Sequence, residues 1–508
     1  MNLLACVSVA VLLARVAVGQ EGAPPPAPKA PAPVGPAPVA PAPPVDDVAA
    51  TLEQAQTLLD DDDFEQARAL LEAARAGTGA AAPPVRLLEL LADALWRSGE
   101  LEAAGGLYTE AREQRPHSRR ALIGLSRMAL ARGDGEEALA LSDAAIGASP
   151  REPEPWLLRC AALMHANRTR EAIAARQRAD ALLAQARAAG RAEPRRLRAA
   201  LDVVRIAGLG EVTVRRREYI TRLEYDLRAG VPVVAATLRG ADEREALVPL
   251  VIDTGGSYCM TLDDSIGAAL GLDLSPGGPI EGGERGAIES SYATVPFLDL
   301  GGWTVRDAPA LLYPVPSEPA LRARPLPPYR GVLGTAMLQR RVLVFLPKMQ
   351  LIRLMTGRFG QEALAEEERK RATEVPFFLI ADGKIALRAE VEGESVLALL
   401  DTGAAATAIS ARLARRMRRA KEPPAAPAAP DVPDAPAVPL TASLNGCVVP
   451  IAASRDEATV RSMLDERVSP RLGVEISLLL GMDFVGRCDR LVVDYVHQQL
   501  LVVPESGR

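Results

Sequence analysis

The 508-residue chain is short of histidine and of cysteine. His117, His165 and His497 are its only imidazoles, and none lies near a candidate nucleophile such as Cys259 in sequence. Cysteine–histidine and serine–histidine–aspartate chemistry both need an imidazole base, so both are poorly supported. Of five cysteines, Cys6 falls in the leader region, which leaves Cys160, Cys259, Cys447 and Cys488. Their spacing is not that of a metal site. A Cys447–Cys488 bridge and buried free thiols both remain compatible with it. Charge of one sign is also missing. With 59 basic against 65 acidic residues the net charge is −6, which gives no electrostatic case for nucleic acid. The arginine clusters Arg215–Arg217 and Arg415–Arg416 read as solvated faces. Beyond the leader no apolar run approaches the length that spans a bilayer, so no transmembrane span is expected in the mature chain.

At the start, Leu3 to Leu13 is largely apolar and Ala17-Val18-Gly19 offers small residues for cleavage. Residues 1–20 therefore read as a secretory signal, and the protein as exported, periplasmic or secreted. No basic residue precedes the apolar stretch. Leu3-Leu4-Ala5-Cys6 has a faint lipoprotein character, and a lipid anchor is the weaker reading. Residues 21–46 are dominated by Pro, Ala, Gly and Val, a composition that makes an extended tether.

Residues 47–200 have a helical pattern that repeats. Ala104, Ala138 and Ala172 are spaced by 34, as are Ala111, Ala145 and Ala179, and Pro116 and Pro150. Tyr108 and Trp156 supply groove-filling aromatics, and Phe64, Ala67 and Leu71 mark an earlier unit. This resembles the tetratricopeptide repeat. The resemblance implies four helical hairpins whose concave surface takes a peptide or partner protein. Asp60 to Asp63 falls at an inter-helix turn and reads as solvated. The Asn167-Arg168-Thr169 sequon sits inside a repeat and reads as accidental.

From about residue 225 the period changes from helical to alternating. Asp253-Thr254-Gly255 follows the apolar run Leu247–Ile252, and Asp401-Thr402-Gly403 follows Val396–Leu400. Val332-Leu333-Gly334 ends 81 residues after Asp253, and Leu479-Leu480-Gly481 ends 80 after Asp401. Val295-Pro296 answers Val438-Pro439 in mid-segment. Val342–Leu351 aligns without gaps on Leu491–Leu500. Four landmarks in one order point to a tandem duplication, with segments at 225–356 and 374–508, a helical joint at 357–373 and a Pro/Ala-rich insert at 422–439.

On these motifs the region resembles the retropepsin-like aspartic proteases. The fold class expected is therefore multidomain α + β: an N-terminal α-helical repeat solenoid, then two retropepsin-like all-β lobes forming one pseudo-twofold aspartic protease unit. The resemblance implies an endopeptidase acting on a peptide or protein substrate. Asp253 and Asp401 would be the catalytic pair, since two adjacent carboxyl groups share one proton and hold water between them. Thr254 and Thr402 would lock the loops across the axis, while Gly255 and Gly403 let backbone amides reach the carboxylates. Water is the nucleophile, so no metal or organic cofactor is required. Gly256 and Ala404 stand where pepsin-like members carry Ser or Thr, which implies higher carboxyl pKa values and a less acidic optimum. A flap is expected from Gly277–Gly286 with Tyr292, whereas Glu422–Pro439 forms a β-hairpin poorly. Cys259 reads as packing, His497 as a residue of the closing strand, and Met482-Asp483 as a turn. The alternative is a catalytically weak or inactive scaffold that binds peptides or proteins.

Overall fold

The computed structural model describes residues 48–79, 82–166, 168–189, 213–214, 221–227, 230–256, 259–281, 287–314, 329–339, 341–356, 363–380, 383–421, 440–451 and 464–505. Residues 1–47, where a leader and tether are expected, Asn167 and residues 422–439 lie outside them. The chain divides into two compact units between Pro116 and His117.

The first unit holds α1 (Val48–Asp60), α2 (Phe64–Gly77), α3 (Val85–Arg97) and α4 (Leu101–Gln114). Leu52, Ala55 and Leu59 on α1, and Phe64, Ala67, Leu71 and Ala74 on α2, fall at helical spacing on one face and are buried. The acidic tetrad is the turn between these helices. Asp63 caps α2 by accepting from the Gln66 amide, and Asp62 meets Arg97 at 3.1 Å. Buried Tyr108 on α4 hydrogen-bonds to Asp93 on α3.

The second unit opens with two further hairpins: α5 (Arg119–Ala131) with α6 (Gly135–Ala148), and α7 (Pro153–His165) with α8 (Thr169–Ala188). In both units the alanines of the 34-residue spacing, Ala104, Ala138 and Ala172, are no more than 1 % exposed. Their methyl groups are packed away from solvent on the inner faces of the paired helices.

The β-rich region follows in two halves. The first contains β1 (Thr213–Val214), β2 (Thr221–Glu224), β3 (Val233–Arg239), β4 (Glu245–Ile252), β5 (Met260–Asp263), α9 (Asp264–Leu270), β6 (Ser275–Glu281), β7 (Ala287–Leu300) and β8 (Trp303–Tyr313). It ends in β9 (Gly331–Leu333), α10 (Thr335–Leu338), β10 (Arg341–Leu346) and β11 (Leu351–Thr356). After α11 (Glu366–Arg371) come β12 (Thr373–Ile380), β13 (Lys384–Val391), β14 (Glu394–Leu400), β15 (Ala408–Ile409), α12 (Ala411–Lys421), β16 (Leu440–Leu444) and β17 (Cys447–Ile451). The second half closes with α13 (Ser469–Leu472), β18 (Leu478–Leu480), α14 (Met482–Val485), β19 (Cys488–Asp494) and β20 (Gln499–Pro504).

The halves repeat one pairing scheme. Antiparallel β3–β4 is completed by β9 running parallel to β4, and antiparallel β13–β14 by β18 running parallel to β14. Between them lies a shared six-strand tract in the order β12-β20-β19-β10-β11-β2. Its central strands β10 and β19 are largely apolar on both faces because both are covered. Leu343, Phe345, Leu491 and Val493 face the main core, whereas Val342, Val344 and Val492 face a second cluster with Ala363 and Leu364.

This alternation corrects the alignment of the closing strands. The hairpins close at Leu346↔Leu351 and Asp494↔Gln499, and Gln350 and Gln498 both take positive φ, at 48° and 53°. Leu343 therefore answers Leu491 rather than Val492, a shift of one residue from the gapless alignment. Side chains change face with every residue, so only this register puts like with like. Val344 then pairs with its own counterpart Val492, and the pseudo-twofold axis runs through that pair. His497 is also reassigned, from the closing strand to the β19–β20 turn. Its Nδ1 lies 2.7 Å from Oδ2 of buried Asp494, whose Oδ1 accepts from the Val496 and His497 amides.

Of the expected flap, Ser275–Glu281 and the start of β7 form a hairpin, and its tip at 282–286 lies outside the described residues. Among the described residues the second half has no counterpart of β6. Its β16–β17 hairpin pairs with β13 as the β7–β8 hairpin pairs with β3.

Phe345 is fully buried in the strand nearest the axis. Phe345→Ala is expected to cost about 3–5 kcal/mol, read as a lower urea midpoint with unchanged slope. A loss under about 1 kcal/mol would mean that this tract does not hold the halves together.

Candidate active site

Strands β4 and β14 run straight into the two Asp-Thr-Gly loops. The Asp253 amide donates to the Leu333 carbonyl at 3.0 Å, and the Asp401 amide to the Leu480 carbonyl at 2.9 Å. Each loop therefore starts where its parallel neighbour ends. The Leu-Gly turns lie beneath. The Thr335 amide and hydroxyl donate to the Gly256 carbonyl, and the Met482 amide donates to the Ala404 carbonyl.

The loops are tied to each other reciprocally. Thr254 Oγ1 donates to the Leu400 carbonyl at 2.9 Å and accepts from the Thr402 amide at 3.1 Å. Thr402 Oγ1 donates to the Ile252 carbonyl at 2.7 Å and accepts from the Thr254 amide at 3.1 Å. Both threonines are fully buried, so each bond lies away from competing water.

This lock brings the carboxyl groups together. Asp253 and Asp401 are 2 % and 5 % exposed and share a side-chain hydrogen bond. A hydrogen bond between two carboxyl groups needs a proton on at least one of them. The Gly255 amide donates to Asp253 Oδ1 at 2.7 Å, and the Gly403 amide to Asp401 Oδ1 at 2.9 Å. A Cβ at Gly255 would stand 2.3 Å from Asp401 Cγ, and one at Gly403 would stand 2.5 Å from Asp253 Cγ. Each loop needs glycine because the opposite carboxyl lies against its backbone.

Burial holds Asp253 above the ordinary aspartate range, against the hydrogen bond with Asp401, the Gly255 and Gly256 amides and the charge of Lys384. Tyr313 at the end of β8 and Tyr495 after β19 also feel the Asp253 charge. Burial, the larger effect, raises both phenols. The Tyr495 hydroxyl has no hydrogen-bond partner among the described residues, and its ring meets Phe377 edge-on at 6.0 Å.

All six residues singled out from the two tripeptides meet at this one place. Lys384, Tyr313 and Tyr495 are additional. The available signal for Lys384 was a lysine directly before the apolar run Ile385-Ala386-Leu387. For Tyr495 there was none, since an aromatic in a closing strand is ordinary core.

The other candidates fall elsewhere. Burial pushes the Cys259 thiol up to about 12, which leaves no thiolate for nucleophilic work. Asp483 accepts from the Thr407 amide and hydroxyl and from the Phe484 amide, and so serves as a turn acceptor. Cys160, Cys259, Cys447 and Cys488 are free thiols. Among the described residues no cluster of His, Cys, Asp or Glu is arranged to hold a metal ion, and no helix is long and apolar enough to cross a membrane.

Among known families, the tetratricopeptide repeat matches residues 52–117 and again 89–153. The N-terminal region therefore carries tetratricopeptide repeats, a helical module for protein–protein contacts, followed by the β-rich region. No curated protein matches the chain. Among solved structures it is similar to MamA MSR-1 C2, with 17% identity over 31% of this chain and 81% of that one, TM-score 0.25. It is similar to TTC0263, a thermophilic TPR protein in Thermus thermophilus, with 19% identity over 30% and 79%, TM-score 0.26. Basic 7S globulin from soybean shows 13% identity over 56% of this chain and 96% of its own, TM-score 0.32.

Thr254→Val keeps the shape but leaves the Leu400 carbonyl and the Thr402 amide without their partner. It is expected to cost about 2 kcal/mol or more in denaturant unfolding, and a neutral outcome would mean the lock is dispensable. The raised Asp253 carboxyl has its own signature. Its folded pKa lies above the unfolded value, so its contribution to stability is full below the unfolded pKa and is lost as pH rises through the folded one. Asp253→Asn should therefore raise Tm most at neutral pH, and the gain should vanish below 3.8, the ordinary aspartate value. A gain independent of pH would contradict the assignment.

Proposed function

We propose that the β-rich region is a retropepsin-like aspartic endopeptidase whose water is activated by Asp253 and Asp401, and that the repeats recruit its protein substrate or a partner. The observation that carries this reading is the hydrogen-bonded carboxyl pair held by the reciprocal threonine lock. The ionised carboxylate takes a proton from water while the protonated carboxyl polarises the scissile carbonyl. The water oxygen bonds to the carbonyl carbon. The gem-diol then collapses, a dyad proton passes to the amide nitrogen and the C–N bond breaks. The protein's contribution is position and a shared proton.

Purified protein should cut members of a peptide library in a pepstatin-sensitive way. Asp253→Asn and Asp401→Asn should each lower kcat/KM by roughly three orders of magnitude. Since Gly256 and Ala404 bring no hydroxyl to the carboxylates, the rate should peak at a less acidic pH than pepsin's. A maximum under strongly acidic conditions would count against that reasoning.

A second reading is a binding scaffold in which the repeats hold a partner and the β cleft holds a peptide without cutting it. It is favoured by the repeats themselves and by the one-sided flap hairpin among the described residues. Identical behaviour of the native chain and both Asn variants toward the library would support the scaffold and end the protease proposal.

A further inference from the structure

The two halves differ in charge at one buried position beside the carboxyl pair. Val233 pairs with Val251 in the first half, and Ala386 pairs with Leu399, the counterpart of Val251, in the second. Two residues before Val233 stands Val231, and two before Ala386 stands Lys384. Both positions are buried, each 1 % exposed. An apolar residue serves the first half at this position, while the second half keeps an ammonium group there.

The register gives that ammonium a place. Ile385 pairs with Leu400 at the end of the β13–β14 ladder, and Lys384 and Asp401 are the residues that flank this last pair. In an antiparallel ladder such neighbours project to the same face. The charge of Lys384 also acts on Asp253. A lysine is too costly to bury without anionic company. A carboxyl pair that shares one proton carries one negative charge, and one lysine balances it.

We infer that Lys384 is the counter-charge of the Asp253–Asp401 pair, a positioning residue that holds one negative charge on the dyad within a buried site. This inference rests on the aspartic-protease reading for its catalytic consequence, but not for its electrostatics. Among the described residues, Asp401 and Lys384 act on Asp253, and Asp253 acts in turn on Tyr313 and Tyr495. The tyrosines are buried phenols that stay neutral in the working range, so Lys384 is the cation in this set. Lysine favours the ionised dyad. Removing its charge makes proton loss harder and moves the dyad's titration to higher pH.

The test follows the carboxyl carbons of ¹³C-aspartate-labelled full-length protein by NMR across pH, with the dyad signals assigned through Asp253→Asn. Lys384→Met should move the dyad midpoint upward, and Lys384→Arg should return it toward the native value. Where peptide cleavage is measured, both limbs of the pH profile should move the same way, with kcat/KM on the acid limb falling roughly tenfold for Lys384→Met. A folded Lys384→Met protein with unchanged midpoints overturns the inference. If that variant does not fold, the ¹⁵N signal of the Lys384 amine in the native chain, assigned through Lys384→Arg, serves instead. It should shift through the dyad's titration, and a signal indifferent to that titration overturns the inference equally. A native chain that cuts no peptide while its dyad midpoint still depends on Lys384 ends the protease reading and leaves the counter-charge standing.

Discussion

The β-rich region depends on one interaction, the reciprocal hydrogen bonding of Thr254 and Thr402 across the axis. Each hydroxyl donates to a carbonyl in the opposite half and accepts from the opposite loop's amide. Four buried polar groups are satisfied only if the two loops meet in one orientation. Any slip would leave amides and carbonyls unpaired away from water, which is the costly alternative. The carboxyl pair, the close glycine approach and the proximity of Lys384 all follow from that constraint.

Burial shapes the chemistry of the site. The same desolvation that raises Asp253 also raises Tyr313, Tyr495 and Cys259, so these phenols and this thiol add no charge near physiological pH. Low-dielectric surroundings make each charge count for more. The carboxyl pair and buried Lys384 then form a compact set of ionisable groups. The repeats, built from alanine-lined helix crossings, have a separate physical logic and a separate task.

The sequence made some features legible. The 34-residue alanine spacing is a local consequence of helix crossing and could be read directly. The two tripeptides at strand ends, each followed by a Leu-Gly turn about 80 residues on, identified the residues that converge. The register of the closing strands was not legible. Val342–Leu346 and Leu491–Val493 are apolar at every position, because both faces of that tract are covered. A pattern without alternation cannot report its own phase, and the alignment slipped by one residue.

The sequence by itself determined which side chains carry carboxyl, hydroxyl and ammonium groups, and which segments alternate or turn with helical period. Local sterics and solvation write those features into any window of a dozen residues. Only the tertiary structure decided that Asp253, Asp401 and Lys384 share one buried site and that Val231 occupies the matching apolar position. Those juxtapositions come from pairings between residues as much as 150 apart, such as Thr402 with Ile252. No window of the chain contains both partners of such a contact.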